Sequence, residues 1–346
     1  MGKETLYNKK SKFELKKNIK EEQFARQTIS FYKYLSLNNL DQLRDKIYKS
    51  WDSLNILGRV YVSKEGINAQ ISIPDNSINS FKDELKSKFN FGDLIFKTAL
   101  KEGTSFYKLV VKIKDEIVAY NIPEQEYNMN NVGKHLDYKE FNKSIDEGAI
   151  VLDMRNYYEG EIGKFESAII PDIERSQELL PEVKKLLEKH KKDKILLYCT
   201  GGIRCEKASS YLIHHGFSDV NQLNGGIIQY ANEIKKNNVK SKFIGKNFVF
   251  DDRMSESVTE HVISKCHICL KPSDSHTNCA NEHCHILFIQ CHNCREEFQN
   301  CCSKDCSKFI LLPKEKRREM FKNGEVKFNA QKSQKIKPRL KDINQN

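Results

Sequence analysis

The stretch Lys194-Ile195-Leu196-Leu197-Tyr198-Cys199-Thr200-Gly201-Gly202-Ile203-Arg204 reads as a buried strand that ends at a cysteine and turns through two glycines. A helix follows over Glu206 to His215 and is stopped by Gly216. A loop between a buried strand and a helix N-terminus points several N–H groups inward. Together with the helix dipole they make an anion site. A cysteine there has a lowered pKa, because its thiolate is the favoured anion. Gly201 and Gly202 let the backbone curl around the sulfur, and Arg204 adds a fixed positive charge. Cys199 is therefore read as a nucleophile, with Thr200, Gly201, Gly202, Ile203 and Arg204 as its loop. The plainer reading is a strand-end cysteine before an ordinary turn. The enzymatic reading requires that the sulfur be reachable from solvent.

Working outward, Ala149 to Met154 reads as a second buried strand, Leu179 to His190 as an amphipathic helix, and Val220 to Leu223 as a short strand. Gly225-Gly226 leads into another helix. These elements define an α/β domain over residues 134–240. Upstream, strands are predicted at Ile29 to Leu37, Arg59 to Ser63, Ile67 to Ile73, Leu94 to Thr98 and Phe106 to Lys112. Helices are predicted at Asp41 to Trp51 and Asn76 to Phe89. That order is a ferredoxin-like α+β domain with an extra strand, over residues 26–120. Residues 1–25 read as a basic arm, 121–133 as a linker, 255–310 as a cysteine-rich segment and 311–346 as a basic tail with one helix at Pro313 to Phe321. Lys240 to Met254 reads as a connection.

Of the eleven cysteines, nine crowd between Cys266 and Cys306. The chain's start lacks a secretory signal, so the cluster reads as a metal site rather than a disulfide framework. The pairs Cys266/Cys269, Cys279/Cys284, Cys291/Cys294 and Cys302/Cys306 supply eight thiolates, enough for two tetrahedral zinc sites of structural role. Pairs one and three can share a metal while two and four share another, or consecutive pairs can join. One of Cys301 and Cys302 is surplus, and His267, His283, His285 or His292 can replace a thiolate.

The formal net charge is +11, and hydrophobic residues make up 38% of the chain. From Ser307 onward twelve Lys or Arg face four Asp or Glu, an excess that suits a polyanionic partner such as nucleic acid. A solvated Lys-rich terminus is the alternative. No apolar run reaches the ~18 residues of a membrane helix, so a cytoplasmic protein with no membrane contact is expected. Lys9, Lys10, Lys12, Lys16 and Lys17 can contact RNA, yet nothing in the N-terminal domain resembles stacked RNP aromatics, and a scaffold role is expected there.

Cys199-Thr200-Gly201-Gly202-Ile203-Arg204-Cys205-Glu206 resembles the active loop of rhodanese-domain proteins. Asp153-Met154-Arg155 resembles the Asp-x-Arg after an early strand of that fold, and Leu223-Asn224-Gly225-Gly226 its late Gly-Gly segment. The six-residue loop resembles that of sulfur-handling rhodaneses rather than the longer loop of related phosphatases. The run Arg155-Asn156, Tyr158-Glu159, Glu161-Ile162-Gly163 and Phe165 narrows the resemblance to the tRNA uridine hydroxylases of the wobble position. That family joins a ferredoxin-like domain, a rhodanese-type domain and a cysteine-rich segment in this order. The resemblance implies oxygen-dependent 5-hydroxylation of the wobble uridine, molecular oxygen as co-substrate, tRNA as partner and Cys199 as the essential cysteine. Asp153 and Arg155 are supporting candidates. Met154 and Ser176-Gln177 depart from the pattern and bear on substrate fit. Cys205 is a candidate resolving thiol, although i to i+6 thiols across a helix start need not meet, which favours a small packing residue. The alternatives are a sulfurtransferase acting through a Cys199 persulfide, and a non-enzymatic RNA-binding adaptor. One route to hydroxylation is addition of the Cys199 thiolate or its persulfide to C6 of uracil.

Overall fold

The protein is described from a computed structural model, which covers residues 6–8, 10–173, 175–332 and 340. Lys9 and the tail residues Lys335, Lys337, Arg339 and Lys341 lie outside the described residues.

Helix α1 (Lys12–Glu21) opens the chain, capped by Ser11 and Glu14 in a reciprocal capping box. Then follow β1 (Arg26–Tyr34), α2 (Leu40–Ser53), β2 (Leu57–Ser63), β3 (Gly66–Pro74), α3 (Ile78–Lys88), β4 (Lys97–Thr98) and β5 (Leu109–Ile113). The sheet order is β4-β1-β3-β2-β5, the ferredoxin-like order extended by β5, which pairs parallel to β2. Strand β1 begins three residues earlier than expected, because its full length pairs with β3 from Arg26↔Pro74 to Tyr34↔Gly66. Period-2 alternation divides the sheet. Phe31, Val60 and Ala69 enter a core with Ile47, Trp51 and Phe81 from the helices. The other face carries two cross-strand rows, Tyr32-Asn68-Tyr61 and Ser30-Gln70-Arg59.

The second domain contains β6 (Lys134–Leu136), α4 (Tyr138–Asp146), β7 (Ile150–Asp153), α5 (Tyr157–Gly160), β8 (Gly163–Phe165), α6 (Ser176–Leu186), β9 (Lys194–Tyr198), α7 (Ile203–His214), β10 (Asp219–Leu223) and α8 (Gly226–Asn237). Strands β6-β10-β9-β7 form a parallel sheet in that order. Both faces of β9 are buried, as its unbroken apolar run demands. Ile195 and Leu197 meet Leu180 and Leu212 on one side; Leu196 and Tyr198 meet Phe141, Ile227 and Tyr230 on the other. Helix α7 starts at Ile203, three residues before the expected Glu206, so Arg204 and Cys205 belong to its first turn.

Residues 121–133 are docked rather than free: the Asn128 amide donates to Ser210 Oγ at 2.8 Å, and that hydroxyl donates to Asn128 O at 2.7 Å. The expected connection after residue 240 contains β11 (Phe243–Phe248), which pairs antiparallel with β8 and with β12 (Ser255–Ser257).

The C-terminal module has β13 (His276–Asn278), β14 (Leu287–Ile289), α9 (His292–Glu297), α10 (Lys304–Ile310), α11 (Lys314–Lys322) and α12 (Asn329–Lys332). The tail was expected to carry little apolar order. Instead Phe328 and Leu340 are buried beside Cys284, Cys302 and Phe309. Among the described residues no helix is long and apolar enough to cross a membrane.

Candidate active site and metal centres

Strand β9 delivers Cys199 to the mouth of α7, and α8 fixes the loop from below. Ile227 N donates to Cys199 O at 3.0 Å and Ile228 N to Thr200 O at 3.1 Å. Gly226 has φ +67°, and a Cβ there would lie 2.6 Å from Cys199 O and 2.8 Å from two loop amides. Only glycine permits that approach. Gly202, at φ +96°, turns its amide onto the sulfur at 3.1 Å.

Burial by itself pushes the Cys199 thiol up. The Cys205 thiol, the Arg204 charge and the Arg204 and Cys205 amides outweigh it, and the pKa falls to about 6. The sulfur is thus thiolate at neutral pH. Cys205 packs fully buried in the core beside Ala208 and Leu212, in keeping with the packing role expected of it, and burial holds its thiol well above the ordinary range.

Arg204 is held by a partner that sequence reasoning did not single out as a site residue. Its guanidinium donates to both oxygens of buried Glu159, at 2.7 and 3.0 Å, and to Thr200 Oγ1 at 3.3 Å. Burial acts to raise the Glu159 pKa, but Arg204 holds the carboxylate below its usual range. Glu159 sits on α5, inside the run quoted above, and a buried glutamate near an obligatory arginine was the signal available. Asp153 and Arg155 lie beneath the loop. They form a fully buried bidentate pair at 2.8 and 2.7 Å, and Tyr198 OH donates to Asp153 at 2.8 Å. They brace the strand end that carries Cys199 and do not appear among the residues facing the cavity above it.

Cys199 has no exposed surface in this conformation, and it borders a cavity of about 380 Å³. The opposite wall is the N-terminal sheet: Ser30, Tyr32, Arg59, Tyr61, Asn68 and Gln70 face the loop. A scaffold domain was expected there; the polar face of its sheet instead closes the site. Tyr32 OH donates to Glu206 at 3.1 Å, Tyr34 OH to Ile203 O at 3.2 Å and Tyr120 OH to Arg204 O at 3.2 Å. Buried Lys207 bridges Glu65 and Glu116, each at 2.8 Å. These bonds between elements distant in sequence fix the wall over the loop.

In the C-terminal module the sulfurs gather as two groups, Cys266/Cys269/Cys291/Cys294 and Cys279/Cys284/Cys302/Cys306, each within 4.8 Å. This selects the crossed arrangement, pair one with three and two with four. Cys301 is the surplus cysteine, and the histidines stand elsewhere: His283 stacks on Phe321 at 4.3 Å, and His292 is exposed beside Glu296. None of the eleven cysteines is in a disulfide. Four convergent thiols in each group suit a structural metal ion.

A cysteine loop, a parallel sheet and a ferredoxin-like lid define a rhodanese-like protein with an added N-terminal wall. Three family models match in series: a UPF0176 acylphosphatase-like domain at residues 26–117, a rhodanese-like domain at 137–233 and a rhodanese C-terminal region at 244–307. Curated relatives named tRNA uridine(34) hydroxylase match almost end to end. That of Leptospira interrogans is 48% identical over 99% of this chain and 94% of its own length. Those of Enterobacter sp. and Hamiltonella defensa are 44% and 46% identical, each over 94% of this chain and over 95% and 94% of their own. The chain belongs to the tRNA uridine(34) hydroxylase family.

Proposed function

We propose that this protein hydroxylates C5 of the wobble uridine, position 34, in cytoplasmic tRNA, with Cys199 as the nucleophile. The observation that carries the reading is the Cys199 loop bordering a cavity whose far wall is polar and aromatic. The base must leave its stack to reach such a sulfur. Tyr32 and Tyr61 then offer ring faces, and Asn68 and Gln70 offer amides to its polar edge. The Cys199 thiolate adds to C6, and the C5=C6 electron pair moves toward C5 and O4. The electron-rich C5 takes one atom of dioxygen; the other leaves as water with two electrons from a thiol reductant. Loss of the C5 proton expels the sulfur and restores the ring. The enzyme is in this reading an oxidoreductase of monooxygenase type.

The two sulfur groups hold structural zinc. A Zn–S bond of about 2.3 Å puts tetrahedral sulfurs about 3.8 Å apart. The Cys284–Cys302 and Cys302–Cys306 spacings are 3.7 and 3.9 Å. Exposed Lys314, Lys316 and Arg318 on α11 supply phosphate contacts, and binding weakens with salt. The sulfurtransferase alternative uses the same thiolate but gives no role to the N-terminal wall. The decisive experiment is mass spectrometry of tRNA nucleosides from cells lacking the gene. Loss of 5-hydroxyuridine derivatives, restored by the wild-type chain and not by Cys199→Ser, supports the reading. An unchanged nucleoside profile overturns it.

A further inference from the structure

Four cations line the cavity among the described residues, and three are committed elsewhere. Arg204 is clamped on Glu159. Arg253 pairs with Asp251 and Glu256, and Arg59 donates to Phe250 O at 2.7 Å. The fourth is Lys97, at the start of edge strand β4. It is 4% exposed, and among the described residues no carboxylate lies within ion-pair distance of it. Its ammonium stands over the Tyr32 ring, 4.4 Å from the centroid. Its stem runs close to Gly225, where an added Cβ would sit 3.5 Å from Lys97 Cε. The chain therefore places this charge between the N-terminal wall and the Gly-Gly segment that supports the Cys199 loop. Burial depresses the ammonium to about 8, and the facing negative charges of Cys199 and Glu206 oppose that shift. An apolar side chain would occupy such a place at lower cost, so a buried lysine without a carboxylate calls for a partner that appears in the working site.

We propose that Lys97 is a catalytic residue supplied by the N-terminal domain: from the wall of the cavity that Cys199 also borders, its ammonium donates a hydrogen bond to uracil O4 as the sulfur adds to C6. The assignment rests on the function proposed above. In that step the S–C6 bond forms, the C5=C6 pair moves between C5 and C4, and the C4=O π pair moves onto O4. The Lys97 N–H meets that charge, and no atom leaves. When the enolate pair later attacks the oxygen donor from C5, the C4=O bond reforms and the ammonium keeps its proton. The surrounding titratable groups are Tyr32 on β1, Cys199 in the loop and Glu206 on α7.

The test uses the full chain and two variants, Lys97→Met and Lys97→Arg. The first readout is iodoacetamide alkylation of Cys199 against pH, followed by peptide mass spectrometry. Lys97→Met moves the midpoint upward and Lys97→Arg restores it. The second is the rate of covalent adduct formation with an anticodon stem-loop RNA carrying 5-fluorouridine at the wobble position. Lys97→Met slows it by about 100-fold, while the thermal melt stays that of the wild type. An adduct that forms as fast in Lys97→Met, or an unmoved alkylation midpoint, overturns the Lys97 assignment alone. Absence of any adduct from the wild-type enzyme overturns the addition mechanism and the assignment with it.

Discussion

Around Cys199 one sulfur is surrounded by N–H donors and a paired guanidinium, whereas between Cys266 and Cys306 eight sulfurs surround one another. The same side chain is put to opposite uses by its neighbours. At the loop, the groups around the sulfur are backbone amides, a thiol and the Arg204 charge, which favour the thiolate form a nucleophile needs. In the C-terminal module, convergent thiols crowd their own charges together, and only a cation makes that arrangement favourable. The lone sulfur is thus set up for reactivity, and the grouped sulfurs for sharing a centre.

The comparison can be broken first by metal removal. Structural zinc contributes about 10–16 kcal/mol of apparent binding energy in small metal-dependent folds. A strong chelator should unfold residues 264–332 while the Cys199 loop keeps its alkylation rate. Native mass spectrometry should find two zinc ions per chain before treatment, and hydrogen exchange should report the selective loss. Next, Cys199→Ser should lower hydroxylation by about 10³-fold or more with the melting temperature unchanged, whereas Cys302→Ser should lower stability first. A Cys199→Ser enzyme with full turnover would remove the distinction between the two regions. Third, Glu159→Gln breaks a buried bidentate pair and leaves Arg204 without its counter-charge. A loss of about 3–5 kcal/mol is expected in denaturant titration. The smallest effect sharpens the electrostatics. The depressed Cys199 pKa means that the reactive thiolate gains with rising pH. Alkylation should climb through a midpoint near 6 and level off above it, while an ordinary thiol climbs only near 9. A midpoint at the ordinary value would show that the loop donors do not hold the charge.

Strand β9 was legible from Lys194 to Tyr198, because an apolar run between charged residues admits little else. The ferredoxin-like order was legible too, since its strands alternate and its helices keep one apolar face. The sequence pattern predicts only a connection where β11 stands, because its partner β8, only three residues long, lies far upstream and carries no strong pattern of its own. The sequence predicts a later start for α7, since Gly202 and Ile203 resemble a loop until the α8 amides pin the turn. The cysteine pairs were visible as pairs. Which pairs share a centre was open, because short chelates constrain neighbours and say nothing of chain crossing.

By itself the sequence determined what depends on neighbours along the chain: the Cys199 loop and its anion-holding turn, the alternation of the two larger domains, and eight thiols set in metal-binding pairs. Tertiary structure decided everything that depends on residues far apart. It brought Glu159 to Arg204, crossed the cysteine pairs, and closed the loop with the Tyr32-Asn68-Tyr61 face and Lys97. The reason is range. Periodicity and turn chemistry act over a few residues, while burial, charge pairing and cavity walls are set by whichever segments the packed sheets carry together.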